Sequence, residues 1–124
     1  CTGRALAALL PRTWTIADFG SGTGNTADIL GPFVRDVILI DQSATMLDAA
    51  RHRLAGRTNV RFVEAAVDRV PLADGSVDAA TCLLVLHHLT DPAGAVREMA
   101  RVVKPGGVVL VLDMVAHDRS DYRH

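Results

Sequence analysis

A glycine-rich segment is the first feature of this sequence whose residue types and spacing could bind a ligand. Residues 18–24 read DFGSGTG and follow a β-branched, aromatic stretch that predicts a strand. Because glycine has no Cβ, such a turn lets unpaired backbone N–H groups approach a ligand closely. The third glycine comes one residue earlier than in the dinucleotide fingerprint G-x-G-x-x-G, and Asn25 stands in its place. The segment therefore predicts a Rossmann-like loop that does not match the nicotinamide pattern, and a purely structural glycine turn stays open.

A carboxylate follows this loop after about twenty residues, the spacing at which an acidic side chain accepts both hydroxyls of a ribose. It is Asp41, at the end of the next predicted strand. Asp41 could instead cap the following helix, but Ser43 is available for that role. The loop and Asp41 together indicate a ligand that contains adenosine.

Two adjacent histidines, His87 and His88, follow a later predicted strand. A histidine there could steer a substrate or accept a proton, since its ordinary pKa is close to neutral. The alternative is a loop histidine that packs against the next helix. No third ligand stands at a metal-site spacing, and the two cysteines, Cys1 and Cys82, match neither a zinc site nor a disulfide framework. We therefore predict no metal, expect Cys82 to be a small core residue, and keep His88 as the one catalytic candidate.

The elements that must position these residues alternate between strands and helices, which is typical of βαβ units around a parallel sheet. The predicted strands span residues 13–19, 37–40, 60–63, 77–84 and 108–112, and the predicted helices span residues 2–10, 25–30, 44–55 and 92–104. Ser43 is expected to cap the third helix, and Asp91 with Pro92 to open the fourth. We find no linker or repeat, so residues 1–124 are predicted to form one α/β domain.

The amino-acid composition limits the classes of partner that this chain is expected to bind. The chain has 124 residues with a net charge of −1, 49% of them hydrophobic and 22% charged. No basic excess indicates direct contact with nucleic acid, and no run reaches the roughly 18 apolar residues of a membrane span. Residues 1–12 lack the layout of a signal peptide. A cytoplasmic protein with a small-molecule ligand is the expectation.

Several motifs, in their order and spacing, resemble those of class I S-adenosylmethionine-dependent methyltransferases. They are DxGSGTG at 18–24, DQSxxML at 41–47, LxxGSVD at 72–78, LHHL at 86–89 and ExxRVVKPGG at 98–107. The resemblance covers residues 5–113 and is closest to the ubiquinone/menaquinone-biosynthesis type. Residues 112–119 are also similar to methyltransferase domains fused behind ArsR-type winged-helix regulators.

The resemblance implies a Rossmann-like three-layer αβα sandwich with a mostly parallel sheet and S-adenosylmethionine as cofactor. It assigns the loop residues beside the methionine moiety to Gly20, Gly22, Thr23 and Gly24. Asp18 would order that loop and help to hold the ligand's ammonium through water. Asp41 would accept the ribose hydroxyls, and the backbone near Cys82 and Leu83 would face the methionine amine.

The adenine side shows one departure from the family pattern. Gln42 and Met46 would border the ribose and the adenine. The acidic residue that many relatives place two positions after the third strand aligns with Ala66, although Asp68 follows two residues later. The adenine-binding residues therefore include Ala66 at a position that lacks the usual acceptor.

The function implied is methyl transfer to a small-molecule acceptor, for which no catalytic acid or base is compulsory. Relatives usually complete the sheet with a hairpin after the fifth strand, whereas eleven residues follow Asp113. We therefore expect a domain truncated after the fifth strand and incomplete at its C-terminus, which binds cofactor with little turnover. Two alternatives stay open: a non-catalytic sensor module of a larger regulator, and a nicotinamide-dependent oxidoreductase.

Overall fold

One parallel sheet forms the centre of the described chain. The computed structural model describes residues 12–20, 24–83 and 91–112. The strands are β1 (Thr15–Phe19), β2 (Asp36–Asp41), β3 (Val60–Glu64), β4 (Val77–Leu83) and β5 (Val103–Leu112). They lie in the order β3-β2-β1-β4-β5, and every neighbouring pair is parallel. The strand order reverses between β1 and β4, which in open α/β sheets is where ligands bind.

Three helices connect these strands: α1 (Asn25–Leu30), α2 (Ala44–Arg53) and α3 (Pro92–Val102). A 3-10 turn, Gly31–Phe33, extends α1. Both predicted caps are confirmed. Ser43 Oγ accepts the Met46 N–H at 3.2 Å, and Asp91 Oδ1 accepts the Gly94 N–H at 2.9 Å. These bonds satisfy N–H groups that the first turn of a helix leaves without partners.

The core lies on both faces of the sheet. Alternate residues of each strand point to opposite faces, so a strand buried between helices is apolar on both sides. One cluster packs α1 and α2 against the sheet, and it includes Ile16, Leu39, Leu47, Ala50 and Leu54. The other packs α3 against the opposite face, and it includes Phe19, Ile40, Cys82, Met99 and Val102. The predicted three-layer αβα architecture is therefore confirmed.

The last strand begins earlier than predicted, and α3 ends earlier. α3 ends at Val102, whereas the helix was expected to continue to about Lys104. Val103 pairs with Val77, and Val108 pairs with Ala79, so β5 carries a bulge between these two pairs. A Cβ on Gly107 would lie 2.4 Å from the Asp78 carbonyl oxygen. The glycine at this position is thus required by the close approach of β5 to β4.

The prediction that Lys104 lies at a helix C-terminus is wrong, because this residue belongs to the first part of β5. Its ammonium forms an ion pair with Asp78 at 2.8 Å. Asp78 also accepts the Thr15 N–H at 2.8 Å. These contacts join β1, β4 and β5 at the amino ends of the strands.

Several sequence predictions fall outside the described residues. They concern the helix at residues 2–10, the loop residues Gly22 and Thr23, the two histidines, and the segment after residue 112. In the part of the chain that is described, no helix is long and apolar enough to cross a membrane.

Candidate functional site

The carboxyl ends of β1, β2 and β4 bring three polar side chains to one face of the sheet. Asp18 is paired with Thr81 in the β1–β4 register, and it neighbours Leu39 of β2. Leu39 belongs to the core cluster beneath α1 and α2. Asp41 lies two residues beyond Leu39, so its side chain points to the same face of the sheet as that of Leu39. Asp18, Thr81 and Asp41 therefore share the α1 and α2 face. Asp18 and Thr81 flank the point where the strand order reverses, and Asp41 ends the neighbouring strand β2.

Asp18 is a buried carboxyl group. Asp18 is 2% exposed, and its Oδ1 accepts a hydrogen bond from Thr81 Oγ1 at 2.9 Å. Burial raises the pKa of Asp18 to about 7, since desolvation disfavours the charged form. Hydrogen bonds from Thr81 and Thr26 oppose this rise in pKa, and the charge of Asp41 adds to it. A cation placed beside Asp18 would favour its ionised form.

Asp41 ends β2 and shapes the turn into α2. Its Oδ1 accepts the Ser43 N–H at 2.8 Å, while Ser43 provides the cap of α2. The alternative in which Asp41 is the helix cap is therefore wrong. Asp41 is half-buried at the carboxyl edge of the sheet.

The two described glycines of the loop have different local roles. The Gly20 N–H donates to the Ile40 carbonyl at 2.8 Å, which joins the loop to the end of β2. Gly24 is the N-cap of α1 and has a φ of 89°, a left-handed conformation that favours glycine. A Cβ on Gly24 would lie 3.0 Å from Leu54 Cδ1, so this glycine also lets α1 approach the end of α2.

The predicted adenine-side residues lie around β2 and β3. Gln42 is exposed, and Met46 is 38% exposed on the first turn of α2. Ala66 is half-buried in the segment that leaves β3. That segment begins beside Asp41, because the Ala65 N–H donates to the Asp41 carbonyl at 3.0 Å. The chain thus places Gln42, Met46 and Ala66 on elements that adjoin Asp41.

Cys82 is fully buried in the cluster beneath α3, which confirms the prediction that it is a core residue. Its side chain therefore lies on the face opposite to Asp18. Cys82 and Leu83 end β4, so their backbone reaches the carboxyl edge of the sheet. No group of three or more potential metal ligands occurs among residues 12–20, 24–83 and 91–112.

Sequence reasoning missed Thr26 and Thr81. Both hydroxyls bond to Asp18, which lies 63 residues before Thr81. A threonine near the end of a predicted strand is a weak signal, because β-branched residues are common in strands. Thr81 is identified as a partner of Asp18 by the register of β1 on β4. That register is set by pairing between residues that are distant in the sequence.

The sequence of residues 17–111 matches the family described as the methyltransferase domain. The uncharacterized methyltransferase YcgJ of Bacillus subtilis is 37% identical over 103 residues, covering 82% of this chain and 41% of that protein. The ubiquinone/menaquinone biosynthesis C-methyltransferase UbiE of Ectopseudomonas mendocina is 37% identical over 105 residues, covering 79% of this chain and 41% of that protein. This chain thus spans about four-tenths of the length of these curated relatives.

Solved structures show the same fold. The crystal structure of B. subtilis YcgJ has a TM-score of 0.83 at 33% identity, covering 90% of this chain and 50% of that chain. An S-adenosylmethionine-dependent methyltransferase from Mesorhizobium loti has a TM-score of 0.72 at 31% identity, covering 86% of this chain and 50% of that chain. The family match begins within β1 and ends within β5, so it includes the whole of β2, β3 and β4.

Proposed function

The chain belongs to the methyltransferase domain family, with the class I fold, and on that premise we propose that it binds S-adenosylmethionine and methylates a small-molecule acceptor. The observation that carries the proposal is that Asp18 and Thr81 flank the reversal of the strand order and share one face of the sheet with Asp41, at the end of the next strand. The two carboxyl groups, Asp18 and Asp41, support a site in which one acidic group serves each of two halves of an adenosine-containing ligand.

Asp41 is the proposed ribose-binding residue, because its carboxylate lies at the end of β2 and can accept hydroxyl donors. Asp18 is proposed to order the glycine loop and to help to hold the ligand's ammonium group through water. A nearby cation lowers the pKa of a carboxyl group, and burial holds the pKa of Asp18 at about 7. Gly20, Gly22, Thr23 and Gly24 are proposed to border the methionine moiety, with the backbone of Cys82 and Leu83 facing its amine.

S-adenosylmethionine supplies an activated methyl group with a neutral leaving group. The protein has mainly to hold the reacting groups in line and exclude water. This requirement is met by binding residues, so a general acid or base is not compulsory. His88 stays the candidate for steering the acceptor or taking its proton.

The proposed class of methyl acceptor rests on the similarity of this chain to UbiE. UbiE is named for ubiquinone and menaquinone biosynthesis, and we propose that this chain likewise acts on a small organic molecule. A cytoplasmic location is also proposed. The resemblance to domains fused to ArsR-type regulators stays a prediction.

A calorimetric titration with S-adenosylhomocysteine tests the cofactor, and NADH is the control ligand. The proposal predicts saturable binding of S-adenosylhomocysteine and none of NADH. Binding of NADH alone would instead support the oxidoreductase alternative and overturn the proposal. Methyl transfer is then measured with a panel of small-molecule acceptors.

A further inference from the structure

The buried carboxyl group of Asp18 forms no ion pair with the described residues. Asp18 is 2% exposed at the end of β1. The described groups that act on it are the hydroxyls of Thr81 and Thr26 and the carboxylate of Asp41. Burial without an opposite charge favours the protonated form of a carboxyl group. The arrangement therefore raises the question of what would supply a positive charge.

The two strands beside β1 place a hydroxyl and a second carboxylate near this group. Thr81 of β4 is 6% exposed and donates to Asp18 Oδ1 at 2.9 Å. The charged residue of β4, Asp78, accepts the Thr15 N–H at the opposite end of the strands. Asp41 of β2 lies on the same face as Asp18, and its negative charge disfavours ionisation of Asp18.

The helices over this face add a second hydroxyl and keep their charges toward solvent. Thr26 of α1 is hydrogen-bonded to the Asp18 carboxyl group. The carboxylate of α1, Asp28, is paired with Arg53 and Arg57, and the three side chains are 35–41% exposed. The other charged or titratable residues of α2 are exposed: Asp48, Arg51 and His52. In the part of the chain that the structure describes, neither helix places a cation against Asp18.

S-adenosylmethionine has its positive charges on one side only. Its adenine is neutral, whereas the sulfonium and the ammonium group both lie on the amino-acid side of the ribose. A ribose held at Asp41 leaves the two ends of the ligand on either side of β2, and β1 with Asp18 lies on one of these sides. Matching of charge assigns the amino-acid end to the side of Asp18. Because charges interact over several ångströms in a weakly polar interior, this effect needs no direct contact.

On the basis of the proposed function, we propose that cofactor binding is coupled to loss of the Asp18 proton, so that acidification weakens binding. In the free protein the carboxyl group holds its proton close to neutral pH, because burial raises the pKa of Asp18 to about 7. The bound ammonium group favours the carboxylate, so the O–H bond breaks and the proton passes to solvent. By linkage, the affinity rises with pH over the range in which the free carboxyl group titrates.

The test is calorimetric titration of the wild-type chain with S-adenosylhomocysteine, which keeps the ammonium group, at pH 6 and pH 8. A carboxyl group with a pKa of about 7 is about one-tenth ionised at pH 6 and about nine-tenths ionised at pH 8. We therefore expect the affinity to be about tenfold higher at pH 8. Titrations at pH 7 in phosphate and in Tris, which differ in enthalpy of ionisation, should show release of about half a proton per bound ligand.

The matched control ligand is 5′-methylthioadenosine, which keeps the adenosine and the sulfur but lacks the amino-acid end. Its affinity is expected to be the same at both pH values, with no proton released. The matched variant is Asp18→Asn, in which the side chain cannot titrate, so its affinity for S-adenosylhomocysteine should not change with pH. The comparison of the two ligands uses the wild type alone, so it tests the proposal even where this variant does not fold.

Three results would overturn this coupling. The first is an affinity of the wild type for S-adenosylhomocysteine that is equal at pH 6 and pH 8. The second is an equal pH dependence for 5′-methylthioadenosine, since the proton would then not respond to the ammonium group. The third is a pH dependence that persists in Asp18→Asn, since another group would then titrate. Failure of the wild type to bind S-adenosylhomocysteine at either pH is a different result, which overturns the proposed function and the coupling with it.

Discussion

Thr81 Oγ1 donates a 2.9 Å hydrogen bond to Asp18 Oδ1 and so joins the ends of β1 and β4 where the strand order reverses. Both residues are buried, at 6% and 2% exposure. A buried carboxyl group is tolerated when its oxygens have hydrogen-bond donors, and Thr26 adds a second donor from α1. Through these two bonds Asp18 ties β1 to β4 and to α1 at the proposed cofactor site.

The first prediction concerns the pH dependence of stability in Asp18→Asn. The pKa of Asp18 is raised by burial from 3.8 to about 7, so the folded state binds this proton more tightly than the unfolded state. The contribution of Asp18 to stability should therefore fall as the pH rises from about 4 to about 7, by at most about 4 kcal/mol. Asparagine mimics the protonated form and does not titrate, so Asp18→Asn should lack this pH-dependent loss of stability.

Urea denaturation of the wild type and of Asp18→Asn at pH 5 and pH 8 shows in which direction the difference in their stabilities changes with pH. The difference between wild type and variant isolates Asp18 from the other carboxylates. Asp18→Asn should gain stability relative to wild type as the pH rises. A difference that does not change with pH would contradict the raised pKa.

The second prediction concerns Thr81→Val, which removes the hydroxyl donor and keeps the shape of the side chain. The loss of a hydrogen bond to a buried carboxyl group should cost about 1–3 kcal/mol of stability. The loss should be greater at pH 8 than at pH 5, because the ionised carboxylate needs the donor most. Thr15→Val is the control, since Thr15 Oγ1 bonds to the Asp36 carboxylate at the other end of the sheet. Equal losses in the two variants at both pH values would argue against a special role for Thr81.

The strands, helices and helix caps could largely be predicted from the sequence, because each of these features depends on residues that are close together along the chain. The run at 37–40 is apolar without interruption, as a strand buried on both faces requires, and β2 contains it. Ser43 and Asp91 were identified as caps from residue type and position alone. The predicted ends of these elements differ from the observed ends by one or two residues, where helices and strands fray.

The remaining features depend on pairing between distant residues. The Asp18–Thr81 contact needs the β1–β4 register, which periodicity does not contain. Lys104 was placed at the end of the predicted helix 92–104, which residues 105–107 (PGG) were expected to stop, whereas pairing with β4 draws Val103 and Lys104 into β5. The glycine loop and Asp41 were found from sequence because their spacing along the chain is itself the signal.

The third prediction concerns Asp41→Ala. Loss of charge-assisted hydrogen bonds to the ribose should weaken S-adenosylhomocysteine binding by about 2–3 kcal/mol, or about thirtyfold or more. Alanine also removes the acceptor of the Ser43 N–H, which shapes the turn into α2. Ser43→Ala is therefore the control: it should cost about 1 kcal/mol of stability through the lost cap and leave the affinity nearly unchanged. An unchanged dissociation constant in Asp41→Ala would falsify the ribose assignment.

The fourth prediction concerns the bulge in β5 and compares Gly107→Ala with Gly106→Ala. A Cβ on Gly107 would lie 2.4 Å from the Asp78 carbonyl oxygen and 2.5 Å from Val103 Cγ1. Neither a backbone oxygen nor a strand neighbour can move aside cheaply, so Gly107→Ala should lose about 2–3 kcal/mol or more. Gly106 has a φ of 85° and open space around its Cβ position, so its alanine variant should lose only about 1–2 kcal/mol from the left-handed backbone.

Chemical denaturation of the two alanine variants measures this difference. The larger loss at Gly107 is expected because the substitution forces β5 away from β4 beside the Val77–Val103 pair, where Lys104 also holds Asp78. A further variant, Lys104→Ala, separates the two effects, since it removes the ion pair and leaves the backbone approach intact. If Gly107→Ala and Gly106→Ala lose equal stability, the close approach to the Asp78 carbonyl does not explain the glycine at position 107.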